Sequence, residues 1–182
     1  VNGWSPSKRN NPFANSGIVV SVEMEQLSSL EKHGALSAMY FQQEVEQKAF
    51  VAGGGELKAP AQRMVDFTTN QLSGGLPKNS YLPGLESAML KDVLPPFIHE
   101  RLQIAFKEFG KKIRGYFTNE AVVVATESRT SSPVRIPRNA GNMQHPQITN
   151  LYPCGEGAGY AGGIVSAAMD GEKVAEAIAA VL

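Results

Sequence analysis

Cysteine is nearly absent from this 182-residue chain. Cys154 stands alone, so no internal disulfide can form, and a reducing, cytoplasmic setting is the expectation. Net charge is absent as well. Seventeen basic and seventeen acidic residues cancel, which leaves no field to recruit nucleic acid or an anionic membrane. No run resembles a signal peptide or a spanning helix, and the apolar C-terminal stretch is broken by Asp170, Glu172, Lys173 and Glu176. The histidines, His33, His99 and His145, share no ligand spacing with one another or with carboxylates, so no metal is expected. Repeats and low-complexity tracts are missing too. What is present is an ordinary globular composition, 42% apolar and 19% charged, long enough for one domain or two small lobes.

Along the chain, Val1–Ser16 is polar and irregular, and reads as the continuation of something longer rather than the start of a domain. Gly17–Glu23 is a β-branched run expected to be a strand. Gly34–Val51 has helical spacing and is stopped by Gly53-Gly54-Gly55. Pro60 opens an expected second helix whose face carries Ala61, Val65, Thr68 and Leu72. Gly74–Gly84 is turn material, and Leu85–Val93 reads as a short helix. Pro95-Pro96 begin another helix with Ile98, Leu102, Ala105, Phe106 and Phe109 on one face, which leaves His99 opposite much of that face and solvated. Ala121–Ala125 is the clearest strand; Val134–Ile136 and Ile148–Tyr152 are weaker ones. A final helix from about Gly163 aligns Ile164, Ala167, Ala168, Val174, Ala175, Ile178 and Val181. The expected fold class is α/β or α+β. Its parts are an N-terminal segment and strand (1–24), a mostly helical lobe (25–118) and a C-terminal part (119–182).

The densest signal is Leu151-Tyr-Pro-Cys-Gly-Glu-Gly-Ala-Gly-Tyr-Ala-Gly-Gly-Ile164, with five glycines within Gly155–Gly163. Glycine permits positive φ and removes Cβ atoms that would hold a ligand away, so backbone amides can approach a phosphate or a flavin. The expected binding residues are Gly155, Glu156, Gly157, Gly159, Tyr160, Gly162, Gly163 and Ile164. The helix start supplies unpaired N–H groups and partial positive charge, and Glu156 offers a carboxylate to ribose or ribityl hydroxyls. The plainer alternative is close helix–strand packing with Glu156 merely solvated. The loop lacks the Lys-Ser/Thr ending of a P-loop, and no βαβ unit follows it, so it is neither an NTPase site nor a first Rossmann fingerprint.

A second polar cluster holds Arg129, Thr130, Ser131, Ser132, Arg135 and Arg138. Arg129, Ser131, Ser132 and Arg135 could meet a carboxylate, a phosphate or the cofactor itself, or could form only a polar turn with surface ion pairs. Cys154 is a packing residue or a redox thiol. His145 borders a loop and is a candidate acid or base. Tyr160 stacks on a ring or simply packs.

The segment Leu151–Gly171 resembles the C-terminal flavin motif of a bacterial family of FAD-dependent dehydrogenases, also labelled NAD- or FAD-utilising dehydrogenases. Asn2-Gly3 with Ala14–Val20, Phe50–Gln62 and Glu127–Ile136 are similar to the same family, so the resemblance spans nearly the whole chain. It implies the C-terminal portion of an incomplete FAD/NAD(P)-binding Rossmann-like flavoprotein domain, with a mostly helical substrate lobe inserted. Related flavoproteins usually carry Gly-Asp where this chain has Gly155-Glu156, which makes Glu156 the implied ribityl acceptor. Gly53–Gly55 would then end a helix or let the substrate lobe approach the isoalloxazine. The N-terminal Rossmann fingerprint that opens a βαβ unit, and an acid for the adenosine ribose, are missing from these residues.

Three functions follow as expectations. The first is an FAD-dependent oxidoreductase working by hydride transfer to or from flavin N5, with NAD(P)H as a possible electron partner. Its partners would be the missing N-terminal Rossmann half and a small-molecule substrate. No catalytic acid or base is assigned, and the chain alone is expected to bind FAD weakly, to be inactive and to self-associate. The second is a non-catalytic nucleotide- or anion-binding module using Gly155–Gly163. The third is a structural interaction domain.

Overall fold

The computed structural model describes Lys8 and residues 10–181. Val1 and Asn2-Gly3, on which part of the resemblance rests, lie outside the described residues. Among the described residues the fold is α+β: four α-helices and a small three-stranded sheet, with 3₁₀ segments at Met24–Leu36 and Leu90–Asp92. It divides into two units, Val1–Met24 with Gln43–Glu127, and Glu25–Gln42 with Ser128–Leu182. No described helix is long and apolar enough to cross a membrane.

The first unit is organised by strand β1 (Ala59–Arg63), which lies between β2 (Leu85–Ser87) and β3 (Val122–Val124). β1 runs parallel to β2, with Ala61 opposite Ser87, and antiparallel to β3, with Ala61 opposite Val124. Pro60 therefore begins no helix. It is fully buried in the central strand, and its carbonyl accepts the Ala125 amide at 3.1 Å. An antiparallel pair here would exchange two hydrogen bonds. Proline forfeits the returning one, just past the point where β3 ends. The helix starts only afterwards: α2 (Met64–Thr69) is closed by Asn70 in the left-handed conformation, so Leu72 falls outside it.

Gln62 explains why Leu85–Val93 is not a helix either. Its fully buried amide donates to the Gln71 carbonyl at 2.7 Å, and its oxygen accepts the Leu90 amide at 2.8 Å. The segment is drawn into β2 and the short turn Leu90–Asp92 instead. Gly17–Glu23 is likewise no strand. Val19 and Val22 are exposed with no ladder beside them, and the Arg101 guanidinium donates to the Ser21 carbonyl.

Helices α1 (Ser37–Ala52) and α3 (Pro96–Lys112) stand where the periodicity placed them. The Gly53 and Gly55 amides donate to the Ala49 and Phe50 carbonyls and so cap α1. α3 differs in its face: His99, Leu102 and Phe106 are its buried residues. That i, i+3, i+7 stripe packs on α2, where Phe67 meets His99 edge-on at 4.6 Å and Phe106 at 5.6 Å. His99 is thus a core residue rather than a solvated one, and burial lowers its pKa from the ordinary imidazole value.

In the second unit the Ser37 hydroxyl donates to the Leu30 and Gly34 carbonyls, and the Gln42 amide donates to Ser128 O at 3.0 Å. Neither Val134–Ile136 nor Ile148–Tyr152 forms a strand. Prolines flank the first, and Asn150 at φ 62° bends the second. The unit ends in helix α4 (Ile164–Ala179).

Candidate functional site

The glycine run lies entirely in the second unit and enters α4 at Gly163. Two left-handed positions shape it, Gly155 at φ 71° and Gly159 at φ 83°. The Gly159 amide donates to Glu156 O at 2.9 Å and the Tyr160 amide to Gly155 O at 3.0 Å, closing a compact turn. One side of that turn is pressed against the arginine–serine segment. Ile136 N–H donates to Ala158 O, and the Ser132 hydroxyl reaches both Val134 O and Gly157 O. A Cβ on Gly159 would stand 2.8 Å from the Val134 carbonyl oxygen.

The other side is open. Nothing lies within 4 Å of a Cβ built on Gly155, Gly157 or Gly162. In the first turn of α4 the Ser166 hydroxyl accepts the Gly162 amide and donates to Gly163 O. The amides of Ile164, Val165 and Ser166 find no acceptor among the described residues, as expected for a helix start. Glu156 is exposed, and its carboxylate makes no hydrogen bond or ion pair among the described residues.

Of the arginine–serine candidates, the fold brings Ser132 and Arg135 to the loop. Ser131 and Arg129 lie exposed upstream. The Arg135 guanidinium lies 4.4 Å from the Tyr160 ring centre and that of Arg138 3.6 Å from it. Tyr160 also donates its hydroxyl to Ile136 O at 2.9 Å. His145 accepts the Gln147 and Ile148 amides at Nδ1 and so serves its own turn.

Sequence reasoning missed the pair that anchors this arrangement. Asp170 looked like a mere interruption of an apolar helix, and Arg138 like a peripheral member of its cluster. Asp170 is buried, the Arg138 side chain is nearly so, and the two are joined side by side: Arg138 Nη1 donates to Asp170 Oδ2 at 2.9 Å and Nη2 to Oδ1 at 2.5 Å. Asp170 Oδ2 also accepts the Gly155 amide at 2.9 Å, and Arg138 Nη1 also donates to Pro153 O. The Arg138 hydrogen bonds, with help from Gly155, hold the Asp170 carboxyl down to about 2. Partial desolvation and the nearby Asp170 carboxylate push the Cys154 thiol up, away from a reactive thiolate. A signal was available: Asp170 lies between Ala167 and Val174 on the inward side of α4, where an acid requires a partner.

Gly159→Ala tests the packed side of the loop. The left-handed backbone alone is expected to cost about 1–2 kcal/mol, and the contact with Val134 adds to that. Limited proteolysis should then cut within 155–163 sooner than in the wild type; an unchanged cleavage pattern would contradict the close approach.

A model of the family described as "FAD-dependent protein, C-terminal domain-like" matches residues 1–130. An uncharacterized protein of Clostridium beijerinckii (strain ATCC 51743 / NCIMB 8052) is 44% identical over 179 residues, covering 97% of this chain and 33% of that protein. The chain spans about a third of the length of this curated relative. The glycine loop lies beyond the family match, but the similarity to the relative runs through nearly the whole chain.

Proposed function

This chain belongs to the family of FAD-dependent proteins, C-terminal domain-like, and on that premise we propose that it completes the FAD site of a longer FAD-dependent oxidoreductase and contributes its substrate lobe. The observation that carries the reading is the open glycine side at the head of α4. Gly157 and Gly162 are exposed with nothing near a Cβ built on them, the first-turn amides of α4 find no acceptor among the described residues, and the exposed Glu156 belongs to the same loop. That donor and acceptor set suits an FAD, which needs amides for its negative regions and a fixed acceptor for its hydroxyls.

In this reading Gly157, Gly162 and Gly163 let the cofactor approach, Ile164 offers its amide, and Gly155 and Gly159 shape the turn that carries them. Glu156 accepts from the ribityl hydroxyls, and Tyr160 holds the loop through Ile136. The cofactor supplies hydride chemistry when bound, and the protein supplies position and field. The α4 amides favour negative charge near them. Arg135 adds a guanidinium at the rim, suited to a carboxylate or phosphate of cofactor or substrate. Dehydrogenase activity with NAD(P)H as electron partner, in a Rossmann-like domain of a cytoplasmic protein, is the specific form of the proposal. The rest of the FAD domain comes from the remainder of the longer protein. The surface of α4 fits that dependence, because Ile164 is 91%, Val165 73% and Met169 53% exposed on one helix.

The test is optical. The longer protein should purify yellow and retain FAD, whereas the 182 residues alone should bind FAD weakly and self-associate. A colourless longer protein that takes up no FAD on titration would refute the reading. Tight nucleotide binding by this chain alone would favour an independent anion-binding module, for which the unpaired α4 amides and Arg135 are the supporting features.

A further inference from the structure

The flavin reading gives Arg138 and Asp170 no contact with a cofactor, yet they are the most completely bonded charged pair described in the chain. One carboxylate takes three donors, two from the guanidinium and one from the Gly155 amide. The guanidinium in turn donates to Pro153 O. The backbone on either side of Cys154 is therefore held twice, by its carbonyl through Arg138 and by its amide through Asp170. Gly155 then carries the constraint forward: its φ is 71° and its carbonyl accepts the Tyr160 amide. Tyr160 returns to the same guanidinium, its ring centre 3.6 Å from the Arg138 carbon. The entrance and exit of the turn thus converge on one ion pair, leaving Glu156 and Gly157 projecting from a fixed base.

Building on the flavin reading, we propose that Asp170 is the positioning residue of the glycine loop: clamped by Arg138 and bonded to the Gly155 amide, it presets the loop in its binding shape before a cofactor arrives. Stability alone is a weaker account of the pair. A buried ion pair can often be replaced by apolar side chains of similar volume without loss of stability. Such a replacement here would keep the packing and remove the one side-chain acceptor of Gly155. Preorganisation of this kind acts on affinity and geometry rather than on the chemistry itself.

The experiment uses the longer protein that contains this chain, with FAD as the probe. In the double variant Arg138→Met, Asp170→Leu, circular dichroism and melting should report a folded protein. Its FAD dissociation constant should rise on the order of tenfold or more, as when an outer partner of a ligating group is removed. The visible band and midpoint potential of bound FAD should shift, and the amides of 155–160 should exchange faster with solvent in the cofactor-free protein. Asp170→Asn retains the shape and one acceptor and should show the same changes in smaller measure, covering the case in which the double variant does not fold. Wild-type affinity, spectrum and exchange in a folded variant would overturn the positioning role while leaving the flavin reading intact. A wild-type protein that takes up no FAD would overturn the flavin reading itself, and this inference with it.

Discussion

Asp170→Ala is expected to destabilise the second unit by about 3–5 kcal/mol, the usual effect of removing one partner of a buried ion pair. The cause is what stays behind. Arg138 would keep only the Pro153 carbonyl and the Tyr160 ring for a guanidinium that its surroundings largely shield from water. Hydrogen exchange of α4 amides is the suitable measurement, because two units need not melt as one transition. The pair also has a pH signature. Its folded-state carboxyl lies near 2 against an ordinary value of 3.8, so its stabilisation is complete above about pH 4 and is lost as pH falls through the folded value. The difference corresponds to about 2 kcal/mol. Wild-type α4 should lose protection between about pH 4 and 2, while Asp170→Ala should show no such step. Equal acid sensitivity of the two proteins would refute the assignment.

Phe67→Ala should be as severe in the first unit, at about 3–5 kcal/mol for deleting a buried phenyl ring. Phe67 is wholly buried and meets both His99 and Phe106 edge-to-face. Its loss would open a cavity between α2 and α3. Water reaching that cavity would weaken the desolvation that holds the His99 pKa down. Urea denaturation should show a lower midpoint, and the His99 titration should move back toward the ordinary imidazole value. A midpoint within experimental scatter of wild type would show that these contacts matter little.

These effects mark where the sequence was readable. α1, α3, α4 and β3 announced themselves through sustained spacing or an unbroken valine run, signals that do not depend on distant partners. Pro60 misled because its preference for opening helices is local, whereas the strand it occupies is imposed by β3, some sixty residues away in sequence. Gln62 acts similarly: a buried amide that collects Gln71 and Leu90 overrides the local preference of Leu85–Val93. At the site, the glycine spacing and the helix start were legible, since glycine states its purpose through what it lacks. Asp170 was not legible in that way. Its role depends on Arg138, thirty-two positions earlier, and on which side of α4 faces inward.

The order in which the ribosome makes the chain now takes on significance. β1 leaves the exit tunnel well before β3, and Glu25–Gln42 long before the Ser128–Leu182 segment that completes its unit. The first unit is complete once Glu127 has emerged, whereas Glu25–Gln42 must wait for Ser128–Leu182, so the first can close before the second, the usual course for successive domains. Residues 25–42 are thus left waiting longest during synthesis, and chaperone contacts there should outlast those on the first unit.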